Sequence, residues 1–150
     1  MVRQFFPDSR LALCYHTDSL NPRIYCKRVI AQKGSTMPYI DLKTNIKLSK
    51  ETTDLLKSEI AGILAASFPG KTENWLMLNF TGDSTMYFAG SDAPCMFVDV
   101  AIFGSQTDKS YDKMTAGLTE LLTKTCGIPA DRLYVKYGEV FHWGWNGSNF

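Results

Sequence analysis

The sequence predicts an α+β domain, α/β in its alternation, in which two helices pack on one face of a mixed four-stranded sheet. Two observations carry this reading. Short runs of strand-like residues alternate with two longer runs whose apolar residues recur at helical spacing. The order strand–helix–strand then occurs twice between residues 38 and 140, and each such unit predicts a parallel strand pair joined by a right-handed crossover. Helices on one face leave the other face uncovered. If that face is apolar it needs a partner, so self-association is its natural outlet.

Each element has its own signal. "PYIDLKTNI" (38–46) reads as the first strand. "SKETTDLLKSEIAGILAASF" (49–68) reads as a helix with Ser49 as N-cap and Leu55, Leu56, Ile60, Ile63 and Leu64 on its inner face. Pro69-Gly70 ends it. "NWLMLNF" (74–80) is the next strand, and "TMYFAG" (85–90) a shorter one closed by Gly90. "PCMFVDVAIFG" (94–104) is apolar at nearly every position, the pattern of a strand buried on both faces. "SYDKMTAGLTELLTKTCG" (110–127) is the second helix, with Met114, Leu118, Leu121 and Leu122 inward and Gly127 as its C-cap. "DRLYVKYGEV" (131–140) is the last strand.

With 150 residues and 45% hydrophobic content, the chain suits one compact domain. The net charge of +1 gives no basis for a nucleic-acid partner. The total conceals a split. Residues 1–36 carry six Lys/Arg against two acids, and residues 37–150 carry ten against thirteen. The leading segment also lacks sustained periodicity and is interrupted by Pro7 and Pro22. It reads either as a basic arm or as upstream sequence read through from an earlier start. Lys33-Gly34 is encoded by AAR-GGN, which can spell a ribosome-binding sequence, and Ser35-Thr36 then spaces it from Met37. The expected boundary therefore falls between a leading extension, 1–36, and a domain, 37–150.

Cys14, Cys26, Cys95 and Cys126 form no CxxC and fit neither a zinc site nor a secreted disulfide framework. No apolar run approaches the ~20 residues of a membrane span, and the N-terminus has no continuous apolar signal core. The expectation is a cytoplasmic protein without a membrane partner. The usual catalytic devices are absent too. There are two histidines, His16 and His142, with no GxSxG, no HExxH, no EF-hand loop and no Gly-rich phosphate loop. Asp99 lies alone within a strand, and Asp131 is expected to cap a turn. Neither metal nor cofactor is implied.

What remains is Pro38, directly after the initiator-like Met37. Removal of the methionine exposes a secondary amine. Its reference pKa is about 8, and an apolar pocket or neighbouring cations lower it further. A neutral amine near physiological pH is a competent general base. Taken alone, Met-Pro is an ordinary chain start.

The wider pattern alters that balance. Met37-Pro38, "TNI" at 44–46, Gly70-Lys71 before a strand, "AGSDAPC", "DRLYVKY" and the ending "GWNGSNF" occur in this order. The ordered set resembles the macrophage migration inhibitory factor family of the tautomerase superfamily across residues 37–150. The resemblance implies the family fold, a homotrimer with sites between subunits, and cofactor-free keto–enol tautomerisation of an aromatic 2-keto acid such as phenylpyruvate, or of a dopachrome. Pro38 matches the catalytic base. Lys71 matches the lysine beside it, which binds a substrate carboxylate; without the family pattern it would read as a solvated loop residue. Tyr134 matches a tyrosine reaching into the neighbouring subunit's site, and it equally suits an interface aromatic.

The same resemblance assigns Tyr39, Ile102 and Phe103 to the substrate-lining set. Trp143, Trp145 and Phe150 match an aromatic wall, or else simply fix the tail. Trp75 stands where the family often has tyrosine. Lys136 replaces an amide at the rim, making the site more cationic unless it is only a solvated strand residue. Cys95 matches a family cysteine, but Val98 removes the CxxC, so no thiol–disulfide activity is expected. Family members also engage receptors and leave cells without a signal peptide. A signalling or host-receptor role, with secretion by such a route, is therefore the alternative.

Overall fold

The computed structural model describes residues 37–149. Expectations for the leading extension, and for Phe150, lie outside the described residues. Strand β1 (Pro38–Thr44) leads to helix α1 (Lys50–Ser67) and strand β2 (Met77–Thr81). Strand β3 (Met96–Phe103), helix α2 (Asp108–Cys126) and strand β4 (Leu133–Val140) repeat the plan. A short hairpin, β5 (Gly144–Trp145) and β6 (Ser148–Asn149), closes the chain. The sheet order is β2-β1-β3-β4, with β1 parallel to β2, β3 parallel to β4, and the two halves joined by antiparallel pairing of β1 with β3. Both parallel pairs match the expectation.

The caps explain where the helices begin and end. The Ser49 hydroxyl accepts from the Thr52 amide, and the Thr107 hydroxyl accepts from the Ser110 amide, each satisfying an otherwise orphan donor. The second helix thus starts two residues earlier than predicted, because Thr107 supplies the capping oxygen. Gly127 ends it in the left-handed region, φ 67°. The α1 end borrows a partner from its neighbour: the Lys113 ammonium donates to the Ala66 carbonyl at 2.8 Å.

The core lies between the helices and one sheet face. Ile40, Leu42, Val98, Val100 and Ile102 from the strands meet Leu56, Ile60, Leu64, Met114, Leu118 and Leu122 from the helices, all fully buried. At ~1.5–3 kcal/mol per buried aliphatic side chain, this layer is the main driving force for folding.

Several expectations need correction. Leu55 is exposed rather than inward, since Leu56 and Ile60 already fill the seam. β3 is buried at alternate positions only, because helices cover just one of its faces. The uncovered face is mixed rather than wholly apolar, with Tyr39, Phe97, Phe103 and Tyr134 lying on it beside a polar row. Asn79, Asp41, Asp99 and Lys136 form one row across all four strands. Asn79 donates to Asp41 at 2.8 Å, and Lys136 pairs with Asp99 at 2.6 Å. β1 stops at Thr44, where its hydroxyl and the next amide turn to hold another loop. Asn74 and Trp75 belong to a 3₁₀ turn before β2. Asp131 lies inside a 3₁₀ turn and caps nothing with its side chain.

The predicted strand at 85–90 is absent. Phe88 and Ser91 instead exchange two backbone hydrogen bonds around Ala89-Gly90, both at positive φ, and this tight reversal leaves no extended edge to pair. The terminal hairpin, unforeseen above, turns on Asn146-Gly147, whose sequence is itself a strong hairpin signal.

The helices meet closely at Gly117, where an added Cβ would lie 2.9 Å from Ile63 Cγ2. Gly62 faces open space. Gly117→Val is expected to destabilise the protein by ~1–3 kcal/mol through overpacking, and Gly62→Ala to stabilise it by ~0.5–1 kcal/mol. Urea unfolding midpoints of the two variants would shift in opposite directions; a matched shift would contradict this packing.

Candidate active site

The β1–β3 pairing places Pro38 opposite Ile102, at one end of the sheet's central seam. Pro38 is buried on the helix side together with Ile40 and Leu42. Phe103 ties the neighbourhood together through its backbone. Its amide donates to the Met37 carbonyl at 3.3 Å, and its carbonyl accepts from the Lys71 ammonium at 3.5 Å. Met37, Pro38, Ile102, Phe103 and Lys71 therefore converge at one place.

Lys71 gets there because α1 ends one turn before it: its amide donates to the Phe68 carbonyl at 3.0 Å. The side chain is 2% exposed, and among the described residues it has no ion pair. Burial pushes its pKa down from 10.5 to about 8. Among the described residues it faces a carbonyl and no carboxylate, and a buried cation so placed can hold an incoming anion.

The other predicted residues are placed as follows. Ile102 is fully buried in the core and backs the site from inside. Tyr39 and Phe103 are half-buried, on the sheet face opposite Pro38. Trp75 and Trp145 meet edge to face at 5.1 Å, which joins the 3₁₀ turn to the terminal hairpin. Trp143 is half-buried beside that hairpin. Lys136 is bound to Asp99 and lies 5.9 Å above the Phe97 ring, so its charge is already matched.

Tyr134 stands apart. It pairs with Phe97 in the β3–β4 register, while Pro38 pairs with Ile102. Those two β3 positions are five residues apart, roughly 17 Å at ~3.3 Å per residue. One chain cannot bring Tyr134 to its own Pro38. A cavity of about 490 Å³ between α1 and β2, lined by Lys57, Glu73, Leu76 and Phe80 among others, contains none of the predicted site residues.

The sequence motifs also acquire roles that sequence reading missed. The "TNI" residues act as staples: Thr44 donates to the Cys95 carbonyl at 2.8 Å, and Asn45 accepts from the Cys95 amide while donating to the Asp92 and Ala93 carbonyls. Arg132 grips the same loop from the other side.

The arrangement can be compared with known proteins. The sequence model of the macrophage migration inhibitory factor (MIF) family matches residues 37–150. The chain belongs to the MIF family. Its family lies in the tautomerase superfamily. The macrophage migration inhibitory factor of Xenopus laevis is 32% identical over 119 residues, covering 76% of this chain and 99% of that protein. Leishmania major MIF2 superposes with a TM-score of 0.73 at 34% identity, covering 78% of this chain and 100% of that one. The homologue from Prochlorococcus marinus gives 0.68 at 28% identity, covering 75% and 98%. The two-helix, four-stranded MIF fold is thus the fold of this chain. Among the described residues, no helix is long and apolar enough to cross a membrane, and no cluster of three or more potential metal ligands occurs.

The depressed Lys71 pKa has a consequence for stability. The unfolded chain, with a lysine pKa near 10.5, holds its proton between about pH 8 and 10.5, where folded Lys71 releases it. The burial penalty is complete below pH 8 and fades as pH rises through that window. Lys71→Met in the full chain is expected to be ~1–3 kcal/mol more stable than the parent at pH 7, with the difference shrinking towards pH 10.5. Urea titrations of both proteins across this range check it, and a pH-independent difference would refute it.

Proposed function

We propose that this protein is a cofactor-independent keto–enol tautomerase of the phenylpyruvate or dopachrome type, with Pro38 as general base once its nitrogen is a free amine. The observation that carries the reading is the convergence of Pro38 with the buried, carboxylate-free Lys71 at the end of the seam. The Lys71 ammonium holds the substrate carboxylate and, by its charge, keeps the proline nitrogen unprotonated. That nitrogen takes a proton from the carbon alpha to the ketone, and the resulting prolinium gives the same proton to the enolate oxygen, forming the enol and restoring the free amine; reversal returns the ketone. Tyr134 of a neighbouring copy donates a hydrogen bond to that oxygen. The distance from Tyr134 to its own chain's Pro38 supports a homotrimer with sites shared between subunits.

The bond between Met37 and Pro38 governs the chemistry. While it is intact, Pro38 nitrogen is a tertiary amide with no basic lone pair, and the Met37 carbonyl is engaged by Phe103. A chain that keeps Met37 therefore has no base. It retains only its surface, which favours a receptor- or host-binding role for that form.

The match to the Xenopus laevis protein covers 76% of this chain and 99% of that relative, and the test uses a chain beginning at Pro38. That chain is expected to tautomerise phenylpyruvate, whereas the chain beginning at Met1 is inactive. Pro38→Gly in the shortened protein is expected to lower kcat/KM at least ~100-fold, the usual scale of a general base, without altering its oligomeric state. Equal activity of the short and long chains would overturn the mechanism, as would an inactive but trimeric Pro38 protein.

A further inference from the structure

Arg132 is an unusual cation. Among the described residues it makes no ion pair, and four of its five N–H donors go to backbone carbonyls of one loop. Nε donates to Pro94 at 2.9 Å, Nη1 to Phe88 at 3.3 Å, and Nη2 to Ser91 at 3.1 Å and Ala93 at 2.8 Å. A planar fork of five N–H donors suits such a task, and a lysine ammonium does not. The guanidinium also lies 5.4 Å from the centroid of the Phe88 ring. Phe88 in turn meets Tyr134 edge to face, 4.9 Å between centroids at 64°. Arg132, Phe88 and Tyr134 form a continuous brace.

The brace ends on a residue that needs one. Tyr134 is 60% exposed, and its hydroxyl has no hydrogen bond among the described residues. An exposed aromatic side chain with nothing beside it samples several rotamers, and ordering it costs binding free energy. The Phe88 ring restricts Tyr134, and Arg132 holds Phe88 by clamping the loop that carries it. Asn45 holds the same loop at the Asp92 carbonyl and the Cys95 amide and shares the Ala93 carbonyl with Arg132, so the clamp acts against a rigid support.

We infer that Arg132 and Phe88 are positioning residues that hold the Tyr134 phenol in its working direction for the neighbouring site. This rests on the tautomerase reading as far as catalysis is concerned, whereas the brace itself does not. A misdirected polar group costs up to about 100-fold in rate, and loss of ordering alone costs less.

The test is a double-mutant cycle in the protein beginning at Pro38, with phenylpyruvate as substrate. Arg132→Gln and Phe88→Leu are each expected to lower kcat/KM about tenfold, mainly through kcat, leaving the pH profile set by Pro38 in place. In a Tyr134→Ala background neither should cost anything further. An equal loss in both backgrounds would mean that Arg132 acts through general stability, and would overturn the inference.

A second readout is independent of activity. In the full chain, NMR resonances of the Tyr134 ring should carry a ring-current shift from Phe88, lost in Phe88→Leu and in Arg132→Gln. Tyr134 resonances unchanged in both variants would likewise overturn it. If the Pro38 protein proves inactive while the NMR shifts behave as expected, the tautomerase reading fails and the brace stands. Phe88→Leu leaves the Arg132 clamp intact, so it serves if Arg132→Gln does not fold.

Discussion

The antiparallel seam between β1 and β3 is the constraint on which the rest of the molecule depends. Each half of the chain is a parallel strand pair with its own helix, and this seam alone bonds the two halves within the sheet. Its register decides both ends. At one, Pro38 faces Ile102, which brings Phe103 between Met37 and Lys71. At the other, Thr44 faces Met96, which delivers Thr44 and Asn45 to the loop before β3. A slip of one residue would turn the buried positions of both strands to the open face. The alternation of buried residues in β1 and β3 forbids it.

Around this seam the molecule carries three kinds of polar device with different energetics. The loop at 88–95 is held by neutral or charge-assisted hydrogen bonds to its backbone groups, several of them doubled, as at the Ala93 carbonyl. Such bonds contribute on the order of 1 kcal/mol each. Lys71 is the opposite case. Its burial costs stability, and nothing within the described chain compensates it with a carboxylate. A group that destabilises its own fold while aimed at a carbonyl beside Pro38 is best understood through what it binds. The open sheet face shows a third arrangement. Asp41 and Asp99 lie opposite one another, yet each has a partner of its own, Lys43 and Asn79 for the first and Lys136 for the second. That neutralised row explains why an uncovered sheet face need not be apolar.

Local signals were legible wherever one residue type has one physical use. Ser49 and Gly127 cap as read, and the Leu/Ile spacing of both helices identifies their inner faces except at Leu55, which lies at the edge of the apolar stripe. The strand order within each half followed from strand–helix–strand alternation. Elements whose conformation is set from a distance were misread. "TMYFAG" has strand composition, but the Ala89-Gly90 reversal and the Arg132 clamp determine its path. "TNI" was legible only as a family mark, because its hydrogen bonds cross ~50 residues of sequence. Lys136 stayed open between a rim cation and a solvated strand residue, since nothing local reveals that Asp99 lies beside it in the register.

By itself, the sequence of this protein determined its class, its two helices with the caps at Ser49 and Gly127, its βαβ repetition and the presence of a proline behind a methionine, because those depend on propensity, capping and short-range periodicity. The tertiary structure alone decided that Pro38, Phe103 and Lys71 meet, that Lys71 is buried with no carboxylate partner among the described residues, and that Tyr134 lies at the far end of the sheet from its own Pro38. The physical reason is register. Which residues face one another across a seam is settled by pairing between distant segments, and no short stretch of chain contains that information.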